Sequence, residues 1–284
     1  MAIRTLALAT DLSERSDRAL ERALRIAGQH RARLVVIHLV NDSMPADLVE
    51  RQRRAADDAL RNYVFTRPDV SDKDVSVRVV VGDPHAGILH EAGDVAADLL
   101  VLGTHRKGAL RDLFRGTTIE RVIRNSNRPV LVACERATAD YRQVAVAVDF
   151  SPAARIALKA GLELAPTARF HLVHAFDVPY GRLLDDSETR AELRHENIDR
   201  LEAIVTDELM ELQRRLSDQP AFAEPRVRQG SVVDVLRSEV ETLKADLLFL
   251  GTHARTGIGR AVLGSVAETM LAGAPTDILV ARAW

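Results

Sequence analysis

Two segments with the residue types of a phosphate site occur in this chain, and they are near copies of one another. The run Asp98-Leu-Leu-Val-Leu-Gly-Thr-His105 returns as Asp246-Leu-Leu-Phe-Leu-Gly-Thr-His253. At the same distance from each copy comes a second small-residue step, first Gly116-Thr117 and then Gly264-Ser265. An apolar strand, a glycine-rich turn and a helix start in this order direct backbone N–H groups toward an anion. The repeat therefore predicts both a tandem duplication and a phosphate site.

The segment that follows Gly264 shows helical periodicity. Ser265 is predicted to cap this helix, whose free N–H groups and positive dipole end favour an anion. Val266 lies in the first turn and is a further candidate contact. The alternative is that Gly251 and Gly264 only shape a tight turn and that Ser265 is an ordinary cap.

Short apolar runs that alternate with amphipathic segments would position these loops. Such alternation predicts βαβ units and, in each half, a five-stranded, mainly parallel, doubly wound α/β sheet. Ligands bind such sheets beyond the carboxyl ends of the strands. The predicted strands lie near residues 6–9, 34–40, 75–81, 98–102 and 129–132, and near 144–148, 170–176, 225–229, 246–250 and 277–280. The helices between them include 14–28, 45–66, 153–165 and 185–217.

The spacing of landmarks places the boundary between the two halves. Gly82 and Gly230 are 148 positions apart, whereas Asp11 and Asp149 are 138 apart, so the second half is longer between its first and third strands. We expect the extra length in the charged segment at 185–217. The predicted domains are 1–137 and 138–284, joined by a short linker.

Composition limits the function classes. With 39 Lys and Arg against 41 Asp and Glu, the net charge of -2 provides no broad basic field for nucleic acid or an anionic membrane. No run reaches the about 18 apolar residues of a membrane span, and no signal peptide is visible, so we predict a cytoplasmic protein. The single cysteine, Cys134, is predicted to be a packed thiol at the end of a strand. No metal site and no catalytic residue can be named.

With these motifs, the chain resembles the universal stress protein family in its tandem two-domain form, over essentially its whole length. Nucleotide-binding members carry Gly-x2-Gly-x9-Gly-(Ser/Thr) after the fourth strand. Here the second half has Gly251-Thr-His253-Ala254, nine residues, then Gly264-Ser265. The first half has Gly103-Thr-His105-Arg106, nine residues, then Gly116-Thr117. Both copies lack the second glycine, and the long Arg106 side chain is the more serious departure.

The resemblance implies an adenine nucleotide alpha hydrolase-like fold and a set of nucleotide contacts. An acidic residue that closes the first strand approaches the adenosine in the family, which implicates Asp149 and, secondarily, Asp11. Backbone groups after the second strand meet the adenine, which implicates Ala175 and Val40. The implied ligand is ATP, alone or with Mg²⁺, bound mainly in the second domain. His253 is a further candidate phosphate contact.

The resemblance also implies an assembly. Family domains often pair through their last strands, so 129–134 and 276–281 are candidate interface strands, within one chain as a pseudo-dimer or in a homodimer. Three functions stay open: a stress-response sensor or regulator that binds ATP, a nucleotide-free module that binds a protein partner, and a slow ATP hydrolase or nucleotidyl transferase. An enzyme is the weakest of the three, because no base or pair of metal carboxylates is evident.

Overall fold

The computed structural model describes residues 3–67, 70, 74–104, 116–176, 188–215, 222–252 and 263–282. The first half forms strands and helices in strict alternation, as the sequence predicts. Its elements are β1 (Thr5–Thr10), α1 (Glu14–His30), β2 (Arg33–Val40), α2 (Ala46–Phe65), β3 (Val75–Val81), α3 (Pro84–Asp94), β4 (Leu99–Gly103), α4 (Thr118–Asn125) and β5 (Val130–Ala133).

The second half repeats this order. Its elements are β6 (Gln143–Ala147), α5 (Pro152–Leu164), β7 (Arg169–Phe176), α6 (Glu188–Arg215), β8 (Arg226–Gln229), α7 (Val232–Leu243), β9 (Leu247–Thr252), α8 (Ser265–Ala272) and β10 (Asp277–Arg282). Helix α6 has 28 residues and its counterpart α2 has 20, which agrees with the extra length expected in the charged segment.

The central strands of the sheet are largely apolar because both of their faces are covered. In β1, Leu6 and Leu8 pack with the core of α1 and α2, whereas Ala7 and Ala9 pack with α3 and α4 on the other face. Alternating side chains of one strand point to opposite faces, so the four residues Leu6 to Ala9 of β1 are all buried.

Within the described residues, the strands form one ten-stranded sheet in the order β3-β2-β1-β4-β5-β10-β9-β6-β7-β8. All pairings inside each half are parallel. The two halves meet through β5 and β10, which pair antiparallel with Leu131 opposite Leu279. The predicted interface between the last strands is therefore confirmed, within a single chain.

A buried polar cluster fixes the linker between the halves. Asp277 is fully buried, and its Oδ1 accepts hydrogen bonds from the backbone N–H groups of Cys134 at 2.7 Å and Glu135 at 3.0 Å. Its Oδ2 accepts from Arg22 Nε at 2.9 Å and from the Tyr141 hydroxyl at 2.7 Å. Burial and the Asp277 carboxylate raise the pKa of Tyr141 well above its usual value, so the phenol is a stable donor.

Three arginines of α1 extend this attachment along the linker. Arg18 Nη1 donates to the Cys134 carbonyl at 2.8 Å, and Arg22 Nη1 donates to the Ala139 carbonyl at 2.9 Å. Arg25 forms an ion pair with Asp140 at 2.9 Å, but both side chains are exposed. The linker thus follows the surface of α1, and Cys134 is buried, as predicted for a packed thiol.

One close approach between a helix and the sheet needs a glycine. A Cβ added to Gly161 of α5 would lie 1.6 Å from an edge carbon of the Phe249 ring. Phe249 is fully buried, so the ring has no free space into which it can move. In the first half, the equivalent positions hold a larger helix residue and a smaller strand residue, Ala23 and Val101.

No helix among the described residues is long and apolar enough to cross a membrane.

Candidate functional site

A cavity of about 200 Å³ lies at the carboxyl ends of β1, β2 and β4 in the first half. The sequence-predicted residues Asp11 and Gly103 both line it, and the first turn of α4 closes one side through Thr118 and Ile119. A doubly wound sheet is expected to hold its ligand in this position.

Asp11 is held by the turn that joins β1 to α1. Its Oδ1 accepts hydrogen bonds from the Ser13 backbone N–H at 3.0 Å, the Ser13 hydroxyl at 2.5 Å and the Ser16 hydroxyl at 2.6 Å. Burial by itself raises the pKa of the Asp11 carboxyl, but the hydrogen bonds from Ser13 and Ser16 hold that pKa below its usual value. Asp11 is therefore an ionised acceptor at neutral pH.

The residue after each strand-terminal aspartate has a left-handed backbone. Leu12 has a φ of 60° and Phe150 a φ of 58°, which is uncommon for bulky side chains. Both belong to the turn in which the aspartate accepts a hydrogen bond from the N–H two residues later. The same strained turn, with an aspartate as hydrogen-bond acceptor, therefore recurs in both halves.

A histidine at the end of the second strand is a site residue that the sequence analysis missed. His38 lines the cavity, and its Nδ1 lies 2.9 Å from the Thr10 carbonyl, directly before Asp11. His174 repeats this contact with the Val148 carbonyl at 2.7 Å. The sequence signal for this residue was a histidine at the same position of the second strand in both halves. A recurring histidine would have been selected as a site residue only if further metal ligands had accompanied it.

The N-terminus of α4 borders the cavity of the first half through Thr118 and Ile119. Gly116 has a φ of 80°, which a glycine adopts without strain. Thr117 is the N-cap, and its hydroxyl accepts from the Glu120 backbone N–H at 3.1 Å. The Glu120 carboxylate accepts in return from the Gly116 N–H. This reciprocal arrangement fixes the loop entering the helix.

The second half departs from the predicted cap. Gly264, with a φ of -63°, is the N-cap of α8 and makes no side-chain capping hydrogen bond, and Ser265 is the first helical residue. The prediction that Ser265 caps the helix is therefore wrong, because a side chain at this position is already within the first turn. Ser265 and Val266 still lie at the positive end of the helix.

We expect Thr117→Ala to lower the free energy of unfolding by about 1 kcal/mol, because it removes an N-cap acceptor. Ser265→Ala at the equivalent position is the matched control and should change it by less than about 0.5 kcal/mol, since no cap is lost. Urea unfolding of both variants checks this. Equal losses would show that Ser265 caps α8 after all.

In the second half, Asp149 Oδ1 accepts from the Ser151 N–H at 3.0 Å, and the Ser151 hydroxyl caps α5 by accepting from the Ala154 N–H at 3.1 Å. Gly251 lies against the start of this helix. A Cβ at Gly251 would be 2.7 Å from the Ala154 nitrogen and 2.8 Å from the Ala153 carbonyl carbon. Close packing between α5 and β9 thus requires this glycine, whether or not a ligand binds.

The two residues predicted to meet the adenine are not at equivalent positions. Val40 accepts from the Gly82 N–H at 2.9 Å, and Phe176 makes the matching bond with the Gly230 N–H, also at 2.9 Å. Val40 is therefore the counterpart of Phe176, and Leu39 is the counterpart of Ala175. Leu39 lines the cavity of the first half, so the pair to compare is Leu39 with Ala175.

Several predicted contacts lie outside the described residues. They are Arg106, His253 and Ala254.

One group of side chains in the described ranges could hold a metal ion. Ligand atoms of His90, Glu91 and Asp94 on α3 lie within 4.8 Å of one another. The Glu91 carboxylate already forms an ion pair with Arg78 at 2.8 Å. A cation would have to compete with this guanidinium, so the group is best described as an ion pair of a buried carboxylate with two exposed polar neighbours.

The chain contains two doubly wound α/β units in tandem. Each unit has an aspartate at the end of its first strand and a glycine at the end of its fourth. This arrangement is an adenine nucleotide alpha hydrolase-like fold. The profile of the universal stress protein family matches residues 2–133 and 140–282. The chain therefore belongs to the universal stress protein family, in its tandem form.

Relatives and solved structures agree with this assignment. A universal stress protein of Methanocaldococcus jannaschii is 32% identical over 85 residues, covering 29% of this chain and 52% of that protein. A Staphylococcus saprophyticus relative is 27% identical over 157 residues, covering 52% of this chain and 94% of its own. The crystal structure of a universal stress protein from Archaeoglobus fulgidus shares the fold with a TM-score of 0.69 at 19% identity, covering 98% of both chains.

Proposed function

We propose that this chain binds an adenine nucleotide and acts as a sensor or regulator in a cytoplasmic stress response, with residues 1–137 and 138–284 as its two domains. The cavity beside Asp11 and Gly103 supports this proposal most directly, because it lies at the carboxyl ends of the strands and next to the N-terminus of α4. A carboxylate acceptor and a helix dipole complement the hydroxyl and phosphate ends of a nucleotide.

We propose the second domain as the principal site. It has Ala254 where the first domain has Arg106, and a methyl group obstructs a phosphate less than a guanidinium side chain does. The N-terminus of α8 presents Gly264, Ser265 and Val266 at its positive end. In this arrangement the backbone N–H groups would meet the phosphates, as Mg²⁺ neutralises part of their charge.

Titration calorimetry of nucleotide-stripped protein with ATP and Mg²⁺ tests this proposal, alongside mass analysis of any nucleotide released from unstripped protein. We expect about one equivalent per chain. Gly264→Asp should abolish this binding by placing a carboxylate at the phosphate position, whereas Gly116→Asp should leave it intact. Two equivalents, or equal losses from both variants, would contradict the ranking of the domains.

A matched control separates charge from backbone strain. Gly264 has a φ of -63°, which alanine adopts freely, so Gly264→Ala should retain binding. At Gly116 the φ of 80° makes any side chain costly, by about 1 kcal/mol. Loss of binding in Gly264→Ala would mean that the site lacks room for one methyl group.

The alternative function is a nucleotide-free module that binds a protein partner, and the loss of the second loop glycine from both halves favours it. No released nucleotide, together with no heat of binding at millimolar ATP, would establish this alternative over the sensor. Phosphate release no faster with protein than without it would eliminate the slow hydrolase.

A further inference from the structure

A second cavity, of about 900 Å³, lies where the two halves meet, and none of its lining residues is shared with the cavity beside Asp11. The walls of this junction cavity are α1, the linker, the end of α7 and the segment that precedes β10. Ligand pockets in proteins enclose about 300–1,000 Å³, so the junction cavity has room for a small molecule. The proposed nucleotide function does not involve it.

Four positively charged side chains in the wall of the junction cavity form no ion pair with any part of the chain that the structure describes. They are Arg18, Arg136, Arg237 and Lys244. Arg18 donates to the Cys134 carbonyl, which leaves its positive charge without a carboxylate. Positive charges on the walls of a cleft raise the local concentration of anions. The junction cavity is therefore suited to a ligand with a negatively charged group.

Two buried residues of the wall have hydrogen-bond donors without partners in the described ranges. Thr276 is 3% exposed, and its hydroxyl makes no hydrogen bond there. Arg22 is 4% exposed; its Nε and Nη1 donate to Asp277 and Ala139, whereas its Nη2 donates to no described residue. Buried polar groups are normally hydrogen-bonded. Since both residues line the junction cavity, both donors are available to an acceptor bound in it.

A glycine keeps the space next to one of these cations open. Gly273 lines the junction cavity, and a Cβ added to it would lie 3.4 Å from Arg237 Nη2. The φ of Gly273 is -132°, so its backbone conformation does not demand a glycine. A larger side chain at this position would therefore crowd the Arg237 guanidinium without straining the backbone.

The junction cavity also contains carboxylates, which limits the kind of anion that fits. Glu241 and Asp246 line it, and the Asp246 carboxylate accepts from the backbone N–H groups of Arg142 at 2.8 Å and Gln143 at 3.2 Å. Carboxylates repel a ligand that is anionic throughout, but they accept hydrogen bonds from hydroxyl groups. The complementary ligand has an anionic group at one end and hydroxyl groups at the other.

We propose that the junction cavity binds a small molecule of the sugar phosphate class, with its phosphate at Arg22, Arg237 and Thr276 and its hydroxyls toward Glu241 and Asp246. A phosphate provides acceptors for both guanidinium groups and for the Thr276 hydroxyl at the same time. Because α1, the linker and α7 all contribute to the walls, the bound ligand contacts both halves of the chain.

Titration calorimetry of the full, nucleotide-stripped chain with glucose 6-phosphate tests this proposal, with glucose and inorganic phosphate as matched probes. Glucose 6-phosphate should bind at one equivalent per chain and about tenfold more tightly than inorganic phosphate, and glucose should give no heat. Equal affinity for the two phosphate compounds would overturn the ligand class, because the hydroxyls would then contribute nothing. No heat from either compound at millimolar concentration would overturn the site.

Variants of the wall locate the binding. Arg237→Gln should weaken glucose 6-phosphate binding about tenfold and Thr276→Val about threefold, since the first loses a hydrogen bond from a charged group and the second one from a neutral group. Lys159→Gln is the matched control, because Lys159 is an exposed cation of α5 outside the junction cavity. An equal loss in this control would show a general effect of net charge and overturn the site.

A further pair of variants separates the junction cavity from the nucleotide sites. Gly273→Val should weaken glucose 6-phosphate binding and leave ATP binding unchanged, and Gly264→Asp should do the reverse. Urea unfolding verifies that both variants are folded. If either variant weakens both ligands, the junction cavity is not an independent site and the proposal is overturned. Glucose 6-phosphate binding without any ATP binding would support this site and refute the nucleotide function alone.

Discussion

We expect Asp277→Ala to lower the free energy of unfolding by about 3–5 kcal/mol, because it leaves the buried Arg22 guanidinium without its carboxylate. The same change removes the acceptor of the Tyr141 hydroxyl and of two backbone N–H groups in the linker. Urea unfolding, followed by circular dichroism and by fluorescence, measures the loss. With the linker released, the two halves should also unfold in separate transitions.

Two further variants show whether the stability of the linker depends on the buried Arg22–Asp277 pair or on the exposed Arg25–Asp140 pair. Asp140→Ala removes an exposed ion pair with Arg25 from the same linker and should cost less than about 1 kcal/mol. Adding Arg22→Met to Asp277→Ala should recover much of the stability, since the unpaired buried charge is then gone. A loss below about 1 kcal/mol for Asp277→Ala alone would mean that water reaches Arg22, and that the cluster does not hold the halves together.

Gly161→Ala is expected to destabilise the chain by about 3 kcal/mol, since its Cβ would overlap the buried Phe249 ring. Phe249→Val alone should also cost about 3 kcal/mol, in this case by leaving a cavity. Together the two changes recreate the pair found in the first half, Ala23 and Val101, so the double variant should be more stable than the sum of the single losses predicts. Thermal and urea unfolding of the wild-type chain, the two single variants and the double variant complete the double-mutant cycle.

The expected coupling is at least about 1 kcal/mol in favour of the double variant. Gly28→Ala in α1 is the control, because a Cβ there meets no atom within 4 Å. Additive losses in the cycle would show that the ring of Phe249 moves aside without help, contrary to the close packing of this core.

Local patterns predicted most of the fold. The alternation of strand and helix patterns located the strands, and Ser151 followed by Pro152 marked the start of α5, where serine does cap the helix. The pairing of β5 with β10 came from the family resemblance and is confirmed. These features depend on residues that are neighbours in sequence or on a known arrangement of domains, so a single chain is enough to predict them.

Contacts between distant residues could not be predicted in this way. Arg22 and Asp277 are 255 positions apart, and no periodicity links them. The bond from Ser16 to Asp11 spans only 5 positions, but a serine in the first turn of a helix has many partners available, and only the geometry selects one. The prediction of Ser265 as the N-cap of α8 was wrong because the helix begins one residue earlier than predicted. Sequence patterns do not resolve a helix boundary to one residue.

The antiparallel contact between β5 and β10 determines where the two candidate sites open. Strands of the first half end at one edge of the sheet, and those of the second half end at the opposite edge. A ligand in one candidate site would therefore be separated from the other candidate site by the length of the strands, and neither ligand would obstruct the other. With both sites functional, the chain would have four occupancy states, and a protein docked at one edge of the sheet would lie near only one of the two sites.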